Sequence, residues 1–134
     1  MFEKIVSSIG INGVLVDTII DRPSYSPGEQ INGSIKIVGG IADQEISGIL
    51  LTLIATFKKE PIDSDFSSYD EELEKILFKE VIIVRAGEEV IKPYEINLSN
   101  EHPISSSTVN SFLKTKVLVE NGVDPSDYDE IIIC

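Results

Sequence analysis

The run EISGILLTLIATF, from Glu45 to Phe57, limits the fold more than any other stretch of the chain. Its residues are apolar on both faces of an extended backbone, and its β-branched content argues against a helix of equal length. A strand of this kind belongs in the middle of a sheet, with more than one layer covering it.

The neighbouring segments supply the rest of the sheets. In YSPGEQINGSIKIVGG, Tyr25 to Gly40, Pro27 fixes φ for the second position of a β-turn and Gly28 accepts the positive φ of the third. After that reversal Ile31, Gly33, Ile35 and Ile37 share one face, Asn32, Ser34 and Lys36 share the other, and Gly39 with Gly40 ends the strand. GVLVDTIID alternates in the same way, with Val14, Val16 and Ile20 opposite Leu15, Asp17, Ile19 and Asp21, until Arg22 and Pro23 close it. Lys58 to Glu72 reads as an acidic loop containing Pro61 and several serines. From Leu73 to Arg85 the period of two returns: Ile76, Phe78, Glu80, Ile82 and Val84 face one way, Leu77, Lys79, Val81 and Ile83 the other. DEELEKILFK also fits a helix, but EVIIV follows it without a stop signal, which favours a strand.

RAGEEV turns at Gly87, and VIKPYEINLS is a strand whose Pro93 points to a sheet edge or a bulge. EHPISSS is a loop, FLKTKVLVEN a strand, NGVDPSDYDE a turn, and EIIIC the start of a last strand. At the N-terminus Phe2, Ile5, Val6 and Ile9 recur at helical spacing, so a short helix is expected over residues 2–9. About seven strands with no helix to cross between parallel neighbours make an all-β, antiparallel, immunoglobulin-like sandwich the expected fold.

A chain of 134 residues is expected to form one domain. With 23 acidic and 11 basic side chains its net charge is −12, so a nucleic-acid backbone would be repelled, while partners with basic patches are favoured. Cys134 is the one cysteine, which excludes a disulfide framework or a cysteine zinc site and fits a reducing compartment. MFEKIVSSIGI lacks the features of a signal peptide, and no later apolar run is long enough to span a bilayer, so a soluble, cytoplasmic protein without stable membrane insertion is expected.

Few residues suggest chemistry. In DSDFSSYDEELE, Asp63, Asp65, Ser67, Tyr69, Glu71 and Glu74 occupy the ligand spacing of a calcium loop. Ser68 stands where that loop turns on glycine, Asp70 where it wants an apolar anchor, and Pro61 denies the entering helix, so a solvated acidic loop is the simpler reading. His102 has Ser105, Ser106 and Ser107 nearby but no nucleophile elbow and no second histidine, which leaves it a loop histidine before Pro103. No phosphate-binding glycine loop and no paired catalytic carboxylates stand out, so no cofactor or enzyme activity is expected.

The order VDTIID, YSPGEQINGSIKIVGG, QEISGILLTL, AGEEVIKPYEINL, HPIS and DPSDYDEI resembles the bacterial sporulation-control protein M (SpoOM) family, whose members look like distant relatives of the arrestins. The resemblance implies an arrestin-like N-terminal sandwich over residues 1–134, with the second sandwich of that architecture absent or truncated. It also implies action by binding other proteins and supplies no catalytic residues. The resulting expectation is a regulatory scaffold in developmental control that presents loops and strand edges, with Asp65, Asp70, Glu71 and Glu72 as candidate partner contacts. A homodimer through a strand edge or an exposed interdomain surface goes with it. The alternative is a sandwich that binds calcium or a small ligand through residues 63–74.

Overall fold

A computed structural model of the chain describes residues 13–58 and 68–134. Among these residues eight strands form two stacked sheets: β1 (Leu15–Ile20), β2 (Ser24–Tyr25), β3 (Gln30–Val38), β4 (Gln44–Lys58), β5 (Ser68–Val84), β6 (Glu89–Asn97), β7 (Val109–Val119) and β8 (Ser126–Ile133). One sheet has the order β1-β3-β6 and the other β2-β8-β7-β4-β5. Every neighbouring pair is antiparallel except β2 and β8, which run parallel. The expected all-β sandwich is the observed one.

Alternation places the core. Ile31, Ile35 and Ile37 of β3 and Tyr94 and Ile96 of β6 are buried, and so are Val14 and Val16 in and just before β1. They join one apolar cluster with Ile49, Leu51 and Leu53 of β4, Leu113 and Val117 of β7, and Ile131 and Ile133 of β8. The turn ahead of β3 is the expected one: Glu29 N donates to Ser26 O at 3.0 Å, with Gly28 at φ 89°. Its purpose is larger than a hairpin, because β2 belongs to the five-stranded sheet and β3 to the three-stranded one. The reversal therefore carries the chain across the sandwich. The Glu29 carboxylate accepts from Ser26 N at 2.8 Å, which fixes the turn further.

β1 is tied to the opposite sheet by polar groups inside the apolar cluster. Thr18 N donates to Asp127 Oδ2 at 2.8 Å and Thr18 Oγ1 donates to Thr115 Oγ1 at 2.7 Å, all three residues being buried. Hydrogen bonding is the condition for tolerating such groups there.

Several boundaries depart from the alternation. Among the described residues the count is eight where about seven were expected, the addition being β2, a two-residue strand that carries no periodic signal. β8 starts at Ser126, inside the segment expected to turn. The largest departure is β5, which begins at Ser68 and so takes the last part of the expected acidic loop into a strand, with no helix in DEELEKILFK. A bulge at Leu73 accommodates the change, since Leu53 pairs with Glu74 and Ile54 with Glu72. Pro93 lies in β6, which among the described residues pairs with β3 alone and is thus an edge strand, as its proline suggested. The helix expected over residues 2–9 lies outside the described residues.

Candidate interaction edge

β5 is the unusual element. It forms the outer edge of the five-stranded sheet and, among the described residues, pairs with β4 alone. From Ser68 to Val81 no residue of β5 is buried on either face. Leu77 is 46% exposed, Val81 68% and Ile83 53%, and Ile91 of β6 is also exposed close to the β5–β6 connection. The two edge strands on this side of the sandwich are joined by an ion pair, Lys92 Nζ to Glu80 Oε2 at 2.7 Å. They differ in one respect: β6 carries Pro93, whereas β5 has no proline along its whole length. An edge of this length, with its outer backbone groups unpaired by any described strand and with exposed apolar side chains, has the features of a strand-pairing template.

The carboxylates singled out in the sequence are distributed along and beyond this strand. Asp63, Asp65 and Ser67 lie outside the described residues. Asp70, Glu71, Glu72 and Glu74 lie on β5. Asp70 Oδ1 accepts from Thr56 Oγ1 at 2.8 Å, and Glu72 pairs with Lys75 at 3.1 Å. Tyr69 stacks on Phe57, with ring centroids 5.2 Å apart. From Ser68 on, the acidic residues thus follow an extended, hydrogen-bonded strand instead of a loop. Among the described residues no group of three or more His, Cys, Asp or Glu side chains is placed to hold a metal ion.

His102 lies in the loop between β6 and β7 and is buried there, at 5% exposure. Its Nε2 lies 2.8 Å from the hydroxyl of Ser111, which is also buried, and its backbone N donates to Ser99 O at 3.1 Å. Of the serines near it in sequence, Ser105 Oγ accepts from Ile133 N at 2.9 Å and Ser106 Oγ from Thr108 N at 3.2 Å, so both hold the loop. His102 borders a cleft of about 200 Å³ lined by Leu53, Leu73, Glu74, Ser99, Glu101 and Pro103. Burial lowers its pKa, opposed by the negative charge of Glu74.

That shift gives stability a pH dependence. The unfolded histidine holds its proton up to the ordinary value near 6.5 and the folded one only to a lower pH, so between the two the unfolded state binds more protons. Stability therefore falls as pH drops from about 6.5 into that window. Urea unfolding of the wild type and of His102→Gln, followed between pH 7.5 and 5, should show a shallower loss in the variant. Parallel profiles would dismiss the contribution.

Residues 2–134 match the family model described as SpoOM protein. The chain is 29% identical over 132 residues to the sporulation-control protein Spo0M of Bacillus subtilis (strain 168), covering 98% of its own length and 51% of that protein. It also superposes on the crystal structure of Spo0M from Bacillus subtilis with a TM-score of 0.80 and 27% identity, covering 90% of this chain and 49% of that one. In both comparisons it spans about half the length of its relative. Among the described residues no helix is long and apolar enough to cross a membrane. With the match extending over nearly every residue and the same sandwich in both structures, the chain belongs to the SpoOM protein family.

Proposed function

We propose that this protein is a non-enzymatic regulatory scaffold of sporulation control that acts by binding other proteins, with β5 as the edge it offers them. The observation that carries this reading is the long strand whose outer edge has no partner strand among the described residues and whose Leu77, Val81 and Ile83 side chains stay in solvent. Its relative's name, sporulation-control protein, supplies the process. Strand addition combines backbone hydrogen bonds, which give affinity, with alternating side-chain contacts, which give selectivity.

The test compares immobilised wild-type protein with the double variant Leu77→Ser, Val81→Ser. Both positions are exposed, so the fold should lose no more than about 0.5 kcal/mol for each change. Proteins retained from the producing cell by the wild type should be lost from the variant and kept by Lys36→Ser, a change on the opposite sheet. An identical retained set for all three would remove β5 from the interaction. Light scattering on the purified protein shows in addition whether a second copy fills the edge, since the wild type would then be dimeric and the double variant monomeric.

A further inference from the structure

The strand registers assemble a surface that no single segment announces. Opposed residues of antiparallel neighbours project from the same face of a sheet. Across the outer face of the five-stranded sheet, Lys75 of β5 lies beside Thr52 of β4, which lies beside Lys114 of β7. One row on, Leu77 lies beside Leu50 and then Lys116, and in the next Lys79 lies beside Gly48 and then Leu118. Four of the chain's 11 basic residues thus surround an apolar strip on one face of a protein whose net charge is −12. Lys114 sits over the ring of Tyr128 at 5.4 Å. Lys75 is held by Glu72 in an exposed pair, and pairs of that kind contribute little. Lys79, Lys114 and Lys116 have no ion pair with a described carboxylate. Beside β5, a shallow depression lined by Ser47, Leu77, Lys79, Glu80, Val81 and Leu118 continues the strip.

Building on the reading of β5 as an interaction edge, we propose that the segment it takes is an extended, carboxylate-bearing stretch of a partner protein. The segment adds to β5 as a strand, with acidic side chains beside Lys75 and Lys79 and an apolar one between them beside Leu77. Period-two spacing follows from the strand itself, so the recognised pattern is acidic, any, apolar, any, acidic. Two features favour a peptide over an anionic lipid surface. The open edge of β5 supplies backbone hydrogen bonds that only a peptide completes. A membrane would also meet the negative charge of the whole body, whereas glutamates of an added strand, in register, meet Lys75 and Lys79 on the outer face, with Glu74 and Glu80 of β5 projecting from the other.

The experiment uses a synthetic peptide with two glutamates flanking a leucine at this spacing and threonines between them, and a control peptide with lysines in place of the glutamates. Binding is read by fluorescence anisotropy. The glutamate peptide should bind the wild type, bind more weakly as salt is raised, and lose about tenfold in affinity with Lys75→Glu, Lys79→Glu, while Lys36→Glu on the other sheet leaves it unchanged. The salt series on wild-type protein serves if the double variant does not fold. Equal binding of both peptides, or a charge reversal that changes affinity less than twofold, would overturn the proposal. A rise in the binding of every peptide when the lysines are replaced would do the same, since the lysines would then be guards of the edge. So would lysine-dependent co-sedimentation with phosphatidylserine vesicles in the absence of peptide binding. If partner proteins are still lost from the Leu77→Ser, Val81→Ser variant while the glutamate peptide fails to bind, the charge reading falls and the edge reading stands. If neither effect is seen, both fall.

Discussion

Replacing Gly33 by alanine is expected to lower the unfolding free energy by about 3 kcal/mol, an effect near the top of the range for a single added methyl group. Gly33 lies in the middle of β3, between Ile20 of β1 and Tyr94 of β6. A Cβ on it would meet the carbonyl oxygen of Ile19, and the hydroxyl of Tyr94 at 2.7 Å. The gap is in use, because the Tyr94 hydroxyl reaches over Gly33 to donate to Ile19 O at 3.2 Å. Tyr94 is itself buried, and burial, reinforced by negative charge at Asp129 and Asp21, pushes its pKa well above the ordinary tyrosine value, so it stays a donor. A tyrosine side chain can swing aside, whereas a backbone carbonyl in the β1–β3 ladder moves only if β1 moves. The cost should therefore persist when the hydroxyl is removed: Tyr94→Phe alone should cost about 1 kcal/mol, the usual value of one hydrogen bond. Gly33→Ala should then cost nearly as much in that background as in the wild type. For a domain of this size the glycine change amounts to a fall of about 10 °C in Tm. If Tyr94→Phe abolished most of the penalty in thermal melts, the obstruction would lie with the tyrosine and not with the carbonyl of β1.

The same glycine shows what the sequence could and could not disclose. Its place on the inward face of β3 was legible from Ile31, Ile35 and Ile37, because a strand that buries one face writes that burial into its own alternation. The reason it must be glycine was not, since Tyr94 and Ile19 arrive from two other strands. β4 was legible because its central residues are buried on both faces, and the turn at Gly28 because proline and glycine act locally. β5 was misjudged over its first residues for the opposite reason: a strand exposed on both faces has no burial to write, and its carboxylates imitate a loop. β2 is too short to have a period.

The candidate edge followed the same rule. The alternation of Lys114 with Lys116, and of Leu77 with Lys79, could be read within each strand, but not that the two sets share a face. Sharing a face depends on the register of β5 and β7 against β4, which residues 23 or more positions apart, such as Thr52 and Lys75, determine together. The burial of His102 depends likewise on Ser111, brought under it by the loop between β6 and β7. The acidic character of residues 63–74 was plain, yet composition drew attention to the carboxylates when the less common charge, lysine, was the one being gathered.

Two isoleucines that a hydropathy scale scores alike should differ most in the effect of truncation. Ile35→Ala is expected to cost about 4 kcal/mol, and Ile83→Ala no more than about 0.5 kcal/mol. Ile35 is 1% exposed at the centre of β3, with Thr18 of β1 on one side and Lys92 of β6 on the other, and its side chain points between the sheets. Removing three of its carbons there loses transfer energy and leaves a cavity that two flat ladders close poorly. Against a total stability of about 5–15 kcal/mol that is a large share. Ile83 is 53% exposed near the end of β5, while its neighbours Ile82 and Val84 turn inward. Its side chain is already in water, so truncation removes little burial. Chemical denaturation of both variants measures the contrast, and comparable losses would place Ile83 within the packed interior. A small loss confirms that Ile83 keeps apolar surface which the packing of the described residues does not consume, the kind of surface that binding can cover.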